Sequence, residues 1–137
     1  MTTGAGLVLE DVSMIFQTGG QEFTALAPLD LTVPAGRFIS LIGPSGCGKS
    51  TIFNIVAGLQ APTSGRVILD GEDITGMIGQ VGYMLQKDLL LPWRTVLDNV
   101  SLGMEIRGMP LKQARERALP LLHRYGLGGF EHNYRLI

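Results

Sequence analysis

The sequence predicts an α/β fold, with antiparallel strands toward its start and helices toward its end. Three observations predict it. A nearly continuous apolar run, Phe38-Ile39-Ser40-Leu41-Ile42, delivers the chain into a glycine-rich stretch, the pattern of a strand covered on both faces. Directly after that stretch, Ile52, Ile55, Val56 and Leu59 fall at i, i+3, i+4 and i+7, one face of a helix. Upstream, Leu29, Leu31 and Val33 alternate with Asp30 and Thr32, as a half-buried antiparallel strand does.

The elements follow in order. Leu7 to Val12 suits a short strand, and Leu29 to Val33 a second, ended by the turn Pro34-Ala35-Gly36. Phe38 to Ile42 is the third strand, broken by Gly43. The helix carrying Ile52 to Leu59 has Gly58 where a C-terminal glycine is wanted. Pro62-Thr63-Ser64-Gly65 reads as a turn, Val67 to Leu69 as a strand and Asp70-Gly71 as a hairpin corner. Val81 to Leu85 is a further strand candidate, ending at Gln86. Two helices close the chain, from Thr95 to about Glu105 and from Pro110 to about Tyr125. Pro110 suits a first helical position, and Leu111, Ala114, Ala118, Leu122 and Tyr125 mark one apolar face. Pro120 is out of place there, because an interior proline removes a hydrogen bond and crowds the preceding turn.

Composition narrows the class. The chain has 137 residues, 45% of them apolar, 17% charged, and a formal net charge of −1. That much apolar surface excludes intrinsic disorder, and the charge balance argues against a nucleic-acid binder driven by bulk charge. One cysteine forms no internal disulfide. MTTGAGLVLEDV lacks a basic segment followed by an apolar stretch, so no signal peptide is expected, and no run has the length of a membrane span. A small cytoplasmic domain is the expectation. Charge divides unevenly, with four basic and eight acidic side chains in residues 1–93 and seven basic and four acidic in 94–137. A solvated helix surface accounts for the basic excess, and a basic docking face is the alternative.

The informative segment is Gly43-Pro44-Ser45-Gly46-Cys47-Gly48-Lys49-Ser50-Thr51, which fits G-x-x-x-x-G-K-[ST] between a strand and a helix. Small residues let the backbone wrap a phosphate so that successive N–H groups converge on its oxygens. The helix that begins there adds unpaired N–H groups and its positive dipole end. Lys49 is expected to reach the β- and γ-phosphates as a mobile point charge, Ser50 to ligate Mg²⁺ and Thr51 to bond the α-phosphate. Cys47 reads as a small loop filler, with a redox or nucleophile role as the alternative. Val67-Ile68-Leu69-Asp70 has the form of a Walker B strand, but Gly71 follows it where a catalytic Glu belongs. The turn reading of Asp70-Gly71 competes with the Mg²⁺ reading of Asp70.

GPSGCGKST, followed by GLQAPTSGRVILDGEDI and then by VGYMLQKDLLLPWRTVLDNV, resembles the nucleotide-binding subunit of ABC transporters. More narrowly it is similar to the nitrate/sulfonate/taurine importer branch, with a likeness running from about Leu7 to Tyr134. The resemblance implies a P-loop NTPase core with an N-terminal antiparallel β-subdomain over residues 1–94 and the beginning of a helical subdomain over 95–137. It implies ATP and Mg²⁺ as ligands. Phe16 occupies the place of the aromatic that stacks on adenine, its alternative being a core phenylalanine. Gln86 matches the Q-loop glutamine that contacts Mg²⁺ and the attacking water. Its amide both donates and accepts, which suits orienting a water. Leu89 to Trp93 lies where such subunits grip a coupling helix of the membrane subunit, a buried subdomain core being the alternative.

The family's later motifs do not occur in these 137 residues: no LSGGQ-like segment, no Walker B with its Glu, no D-loop and no switch histidine. His123 and His132 lie upstream of that histidine's place, and with Cys47 they lack any recognised metal-ligand spacing. In the complete family two ATP-binding subunits pair head to tail and drive transmembrane permease subunits from the inner face of the cell membrane. The expectation for this chain is therefore a form truncated before the signature motif. Loss of a catalytic base costs about 10²- to 10⁴-fold in rate, which implies negligible turnover alone. Without a Walker B strand beside it, the Phe38–Ile42 strand would expose an edge and an apolar face, an aggregation hazard. Two alternatives stand: a non-catalytic ATP-binding or regulatory module, and a different P-loop enzyme such as a small-molecule kinase, against which the Gln86–Val100 phrase argues.

Overall fold

Gly19 and Gly20, at φ 60° and 79°, turn the chain between strand β1 (Leu7–Thr18) and strand β2 (Gln21–Val33). Positive φ at both central residues is what a two-residue hairpin needs to match strand twist. The hairpin is far longer than the two short strands expected of the sequence, because the Gly-Gly turn carries the pairing out to Thr18↔Gln21. The computed structural model describes residues 6–87 and 89–134. Residues 1–5, part of the stretch expected to hold no leader, lie outside the described residues, as do 88, within the Gln86–Val100 phrase, and 135–137.

The described chain divides into two compact units, up to Met84 and from Leu85 onward. In the first, β3 (Ser64–Leu69) and β4 (Glu72–Asp73) complete an antiparallel sheet of order β2-β1-β3-β4. Asp70 and Gly71 join β3 to β4 at φ 51° and 88°, with Leu69 paired to Glu72. Asp70 is thus an exposed hairpin corner, which decides between its two sequence readings in favour of the turn. Along β2, Leu29, Leu31 and Val33 are sheltered while Asp30 and Thr32 are exposed, as the alternation predicts.

Helix α1 (Lys49–Val56) lays Ile55 into a core with Leu9, Val12, Leu26, Val67 and Ile74, flanked by Ile52 and Val56. Its end is fixed by geometry. Leu59 N–H donates to the Asn54 carbonyl at 2.9 Å and Gly58 N–H to the Ile55 carbonyl at 3.0 Å, with Gly58 left-handed at φ 71°, a Schellman stop. A side chain at Gly58 would also collide with the Met77 carbonyl, so glycine is required twice over.

Two expected strands do not form. Residues 37–44 make no ladder, and Phe38 and Ile42 are 93% and 94% exposed. Val81 to Leu85 is likewise unpaired, its link to α1 being Tyr83 Oη donating to Asn54 Oδ1 at 3.0 Å. An apolar run shows what a segment would bury, but a strand also needs a neighbour to take its N–H and C=O groups. Among the described residues neither segment has one.

The second unit is built on helices α2 (Val96–Ile106) and α3 (Leu111–Arg124), which pack on one another. Ala114, Ala118 and Leu122 of α3 are buried, as its apolar face predicts, whereas Leu111 and Tyr125 at the ends of that stripe are exposed. Pro120 sits on the exposed side of α3, where water serves the carbonyl its missing N–H leaves unpaired. The start of α2 is closed by protein groups. Thr95 Oγ1 accepts from Asp98 N–H at 3.2 Å, while the Asn133 and Glu131 carbonyls accept from Val96 and Leu97 N–H at 2.8 and 3.1 Å. A bridge between Thr95 and Tyr134 holds that returning segment in place.

Candidate phosphate-binding site

The loop from Gly43 to Lys49 takes its shape from two left-handed glycines, Gly46 at φ 81° and Gly48 at φ 93°. L-residues with a Cβ adopt such φ values only at a cost of about 1–2 kcal/mol each. Gly48 is further constrained, since a Cβ there would lie 2.9 Å from the Ala25 carbonyl oxygen and 3.4 Å from Leu26 Cδ1. Ala25 is an extra residue in β2: Met14 pairs with Leu26 and Ile15 with Thr24. The loop therefore rests on a β-bulge, a device that re-aims chain at sheet edges and functional sites.

Gly48 is the N-cap of α1, and no side chain caps the helix or places an acid in its first turn. The first intrahelical bond seen is Ile52 N–H to the Gly48 carbonyl at 3.0 Å, which leaves the amides of Lys49, Ser50 and Thr51 without helical acceptors. Those three donors and the dipole end form a ready anion site. Lys49 folds back over the loop. Its Nζ donates to the Gly43 and Pro44 carbonyls, both at 2.7 Å, and to Cys47 Sγ at 3.3 Å. Among the described residues it makes no ion pair. An ammonium held by neutral oxygens keeps its charge uncompensated, and an incoming phosphate competes well because it brings an opposite charge as well as acceptor oxygens. Cys47 Sγ fills the space beside Gly43, 2.7 Å from where a Cβ of Gly43 would stand. Ser45 and Ser50 are exposed and Thr51 half-buried.

The other residues singled out in the sequence lie elsewhere. Phe16 sits in β1 opposite Phe23, 37% exposed and outside the buried core. Gln86 is an exposed residue at the start of the second unit. Hard oxygen donors of the Ser50 and Gln86 kind suit Mg²⁺, which keeps several waters and is held by few protein groups together with phosphate oxygens. Among the described residues no three His, Cys, Asp or Glu side chains cluster as a metal site.

Sequence reasoning missed Asn99. Its Nδ2 donates to the carbonyls of Leu91, Arg94 and Thr95 at 3.0–3.2 Å, and its Oδ1 accepts Leu91 N–H at 2.8 Å. Four hydrogen bonds from one side-chain amide, with its two N–H groups shared among three carbonyls, thus clamp the Leu91–Thr95 turn. Arg94 pairs in bidentate fashion with Glu105 at 2.6 and 3.3 Å, and that contact holds the Glu105 carboxyl below its ordinary range. Leu89 and Trp93 are both exposed. The signal for Asn99 was its place eight residues beyond Leu91, within reach of a turn that a helix N-terminus follows.

Comparison with known proteins agrees with this geometry. The ABC transporter family matches residues 26–135. The chain is 43% identical over 121 residues to a taurine import ATP-binding protein of Pseudomonas aeruginosa, covering 88% of this chain and 46% of that protein. It is 45% identical over 113 residues to an Fe(3+) ions import ATP-binding protein of Brucella abortus, covering 80% and 32%. The chain thus spans less than half the length of these curated relatives. Among solved structures, a dimeric ATP-binding cassette in a post-hydrolysis state, bound to ADP and Pi, superposes with a TM-score of 0.81 at 30% identity over 94% of this chain and 61% of the other. Among the described residues no helix is long and apolar enough to cross a membrane.

Proposed function

The chain belongs to the ABC transporter family of ATP-binding proteins, and on that premise we propose that it serves as the ATP-binding subunit of an importer, coupling ATP binding and hydrolysis to solute uptake. The observation that carries the reading is the phosphate loop itself, with its left-handed glycines, the uncapped start of α1 and a lysine bound only to neutral groups. In this reading Gly43 to Gly48 wrap the phosphates with backbone N–H groups, Lys49 charges the β- and γ-phosphates and Thr51 bonds the α-phosphate. Mg²⁺, held by Ser50 with phosphate oxygens, would neutralise charge developing on the transferred group. Phe16 offers a ring to the base, and Gln86 orients the attacking water.

The similarity to taurine and Fe(3+) import proteins supports an importer, and the Gln86–Val100 phrase is what supports the nitrate/sulfonate/taurine group within importers. A second ATP-binding subunit paired head to tail, and permease subunits gripped through Leu89 to Trp93, are the partners this reading requires, with the subunit lying on the inner face of the cell membrane. Phosphoryl transfer is largely positioning and charge stabilisation. The 137 residues supply phosphate positioning and Gln86, without the signature segment or the Walker B glutamate. Alone, they bind Mg-ATP and turn it over negligibly. Calorimetry with Mg-ATP and a phosphate-release assay on the 137-residue chain test this. Binding is expected without multiple turnover, and Lys49→Ala should weaken binding by about 10- to 150-fold, the value of charged hydrogen bonds, while leaving the thermal midpoint in place. Equal affinity in Lys49→Ala would overturn the reading of the loop, and turnover at rates typical of full-length subunits would overturn the predicted inactivity.

A further inference from the structure

The stretch between Met77 and Gln86 has little to hold it. Its backbone joins no ladder, and Ile78 and Met84 are 71% and 93% exposed. Yet Tyr83 is half-buried between the exposed Gly82 and Met84. What draws it in is the bond that its hydroxyl donates to Asn54 Oδ1 at 3.0 Å. Among the described residues this is the one hydrogen bond that residues 78–85 make. Segments so sparsely bonded open most easily, so a single neutral bond governs where this one lies.

The acceptor stands on the helix into which the phosphate loop leads. Asn54 follows Ser50 by four residues on α1, so the two side chains share one face a turn apart, with about 5–6 Å between their Cβ atoms. Side chains of a helix lean toward its N-terminus, which carries the Asn54 amide toward the turn of Ser50. Helix α1 has only eight residues, and a helix that short is marginal on its own hydrogen bonds. A phosphate received by the open amides of Lys49, Ser50 and Thr51 would cap it and complement its dipole. Helix formation is cooperative, so order in the first turn extends to the second, where Asn54 lies. Tyr83 belongs to the same compact unit as the loop and α1, and Gln86 follows it by three residues.

We infer that Tyr83 is a positioning residue. Through Asn54 it ties to the phosphate-binding helix the point from which the chain runs on to Gln86, so that an occupied loop holds this point more firmly than an empty one. The assignment rests on the reading of the Gly43–Thr51 loop as a nucleotide phosphate site.

Chymotrypsin, which cleaves after tyrosine and phenylalanine alike, tests the tie. The 137-residue chain, Tyr83→Phe, Asn54→Ala and the double variant are each digested with and without Mg-ATP, and calorimetry records nucleotide binding. Cleavage after residue 83 follows the population of the open segment when reclosing is fast. In the parent, Mg-ATP should slow that cut. Without nucleotide, Tyr83→Phe should be cut about 2- to 13-fold faster than the parent, the value of one neutral hydrogen bond, and its cleavage should no longer respond to Mg-ATP. Asn54→Ala should behave alike, and the double variant should be no worse than either, because the two partners of one bond are not additive. Mg-ATP that binds the parent without slowing the cut, or that slows it equally in Tyr83→Phe, would overturn the tie and leave the phosphate site standing. So would additive losses in the double variant, which mark two separate structural roles. A parent chain that binds no Mg-ATP would overturn the phosphate site and the tie with it.

Discussion

Two exposed loops each lead into a helix, and they treat the helix start in opposite ways. At α2 the first three amides are all engaged, by Asn133, Glu131 and Thr95, and the Asn99 side-chain amide makes four hydrogen bonds to the turn before it. At α1 no side chain caps the helix. The contrast extends to the cations. Arg94 is neutralised by a bidentate carboxylate, whereas Lys49 leans on two carbonyls and a thiol. A helix start that satisfies its own amides presents a shape, and the Leu89–Thr95 turn is such a shape. One that leaves them open presents a charge site, and the phosphate loop is built that way from glycines that hold it open.

The largest perturbation of this contrast removes the support behind the open loop. Ile55 is 1% exposed and anchors α1 to the sheet, so Ile55→Ala should cost about 2–5 kcal/mol. Hydrogen exchange should accelerate across the sheet and α1, and the α2 amides should remain protected. Loss of protection in both units together would show that they are not independent.

A smaller effect is expected from opening the closed loop. Asn99→Ala strips four hydrogen bonds from the Leu91–Thr95 turn and should cost about 1–3 kcal/mol. Faster exchange at the Leu91 and Arg94 amides and a shift in Trp93 fluorescence are the readouts, with ATP affinity unchanged. A matching loss of ATP affinity would mean that the turn feeds the phosphate site.

The smallest effect is one of pH. The Arg115 guanidinium, bonded to both Asp98 oxygens at 2.6 and 3.0 Å, holds the Asp98 carboxyl below the ordinary range, helped by Thr95 and opposed by burial. A carboxyl depressed in the folded state adds stability that is fully present above its unfolded value of about 3.9 and is lost as pH falls through the lower folded value. The thermal stability of the helical unit should therefore fall below about pH 4, and Arg115→Gln should flatten that dependence. An unchanged slope in the variant would remove Asp98 as its source.

Much of the molecule is legible in its residues alone. The Ile52–Val56 face, the Asp70-Gly71 corner, the alternation along Leu29–Val33 and the buried Ala114, Ala118 and Leu122 are local patterns, and local patterns are written in adjacent residues. The shape of the Gly43–Lys49 loop is legible because left-handed turns at Gly46 and Gly48 need glycine at those positions. What escapes is what depends on a distant partner. Phe38–Ile42 has the composition of a buried strand, yet pairing is a property of two segments. The extent of the β1–β2 hairpin hangs on Gly19-Gly20, a turn signal whose reach along the flanking strands is set by the register and not by the turn. The closure of α2 by Glu131 and Asn133 has no sequence signal at all, because carbonyl acceptors belong to every residue.

That closure also sets an order of events as the chain is made. Thr95 emerges 39 residues before Tyr134, a delay of about 2–8 s at ordinary synthesis rates of 5–20 residues per second. During that interval α2 has its Thr95 cap but lacks the returning segment, so the helical unit matures only after the β-sheet and phosphate loop ahead of it are complete. A stall in translation between those two points would leave a nascent protein with a finished phosphate loop and, behind it in the chain, a helix whose first amides still wait for their acceptors.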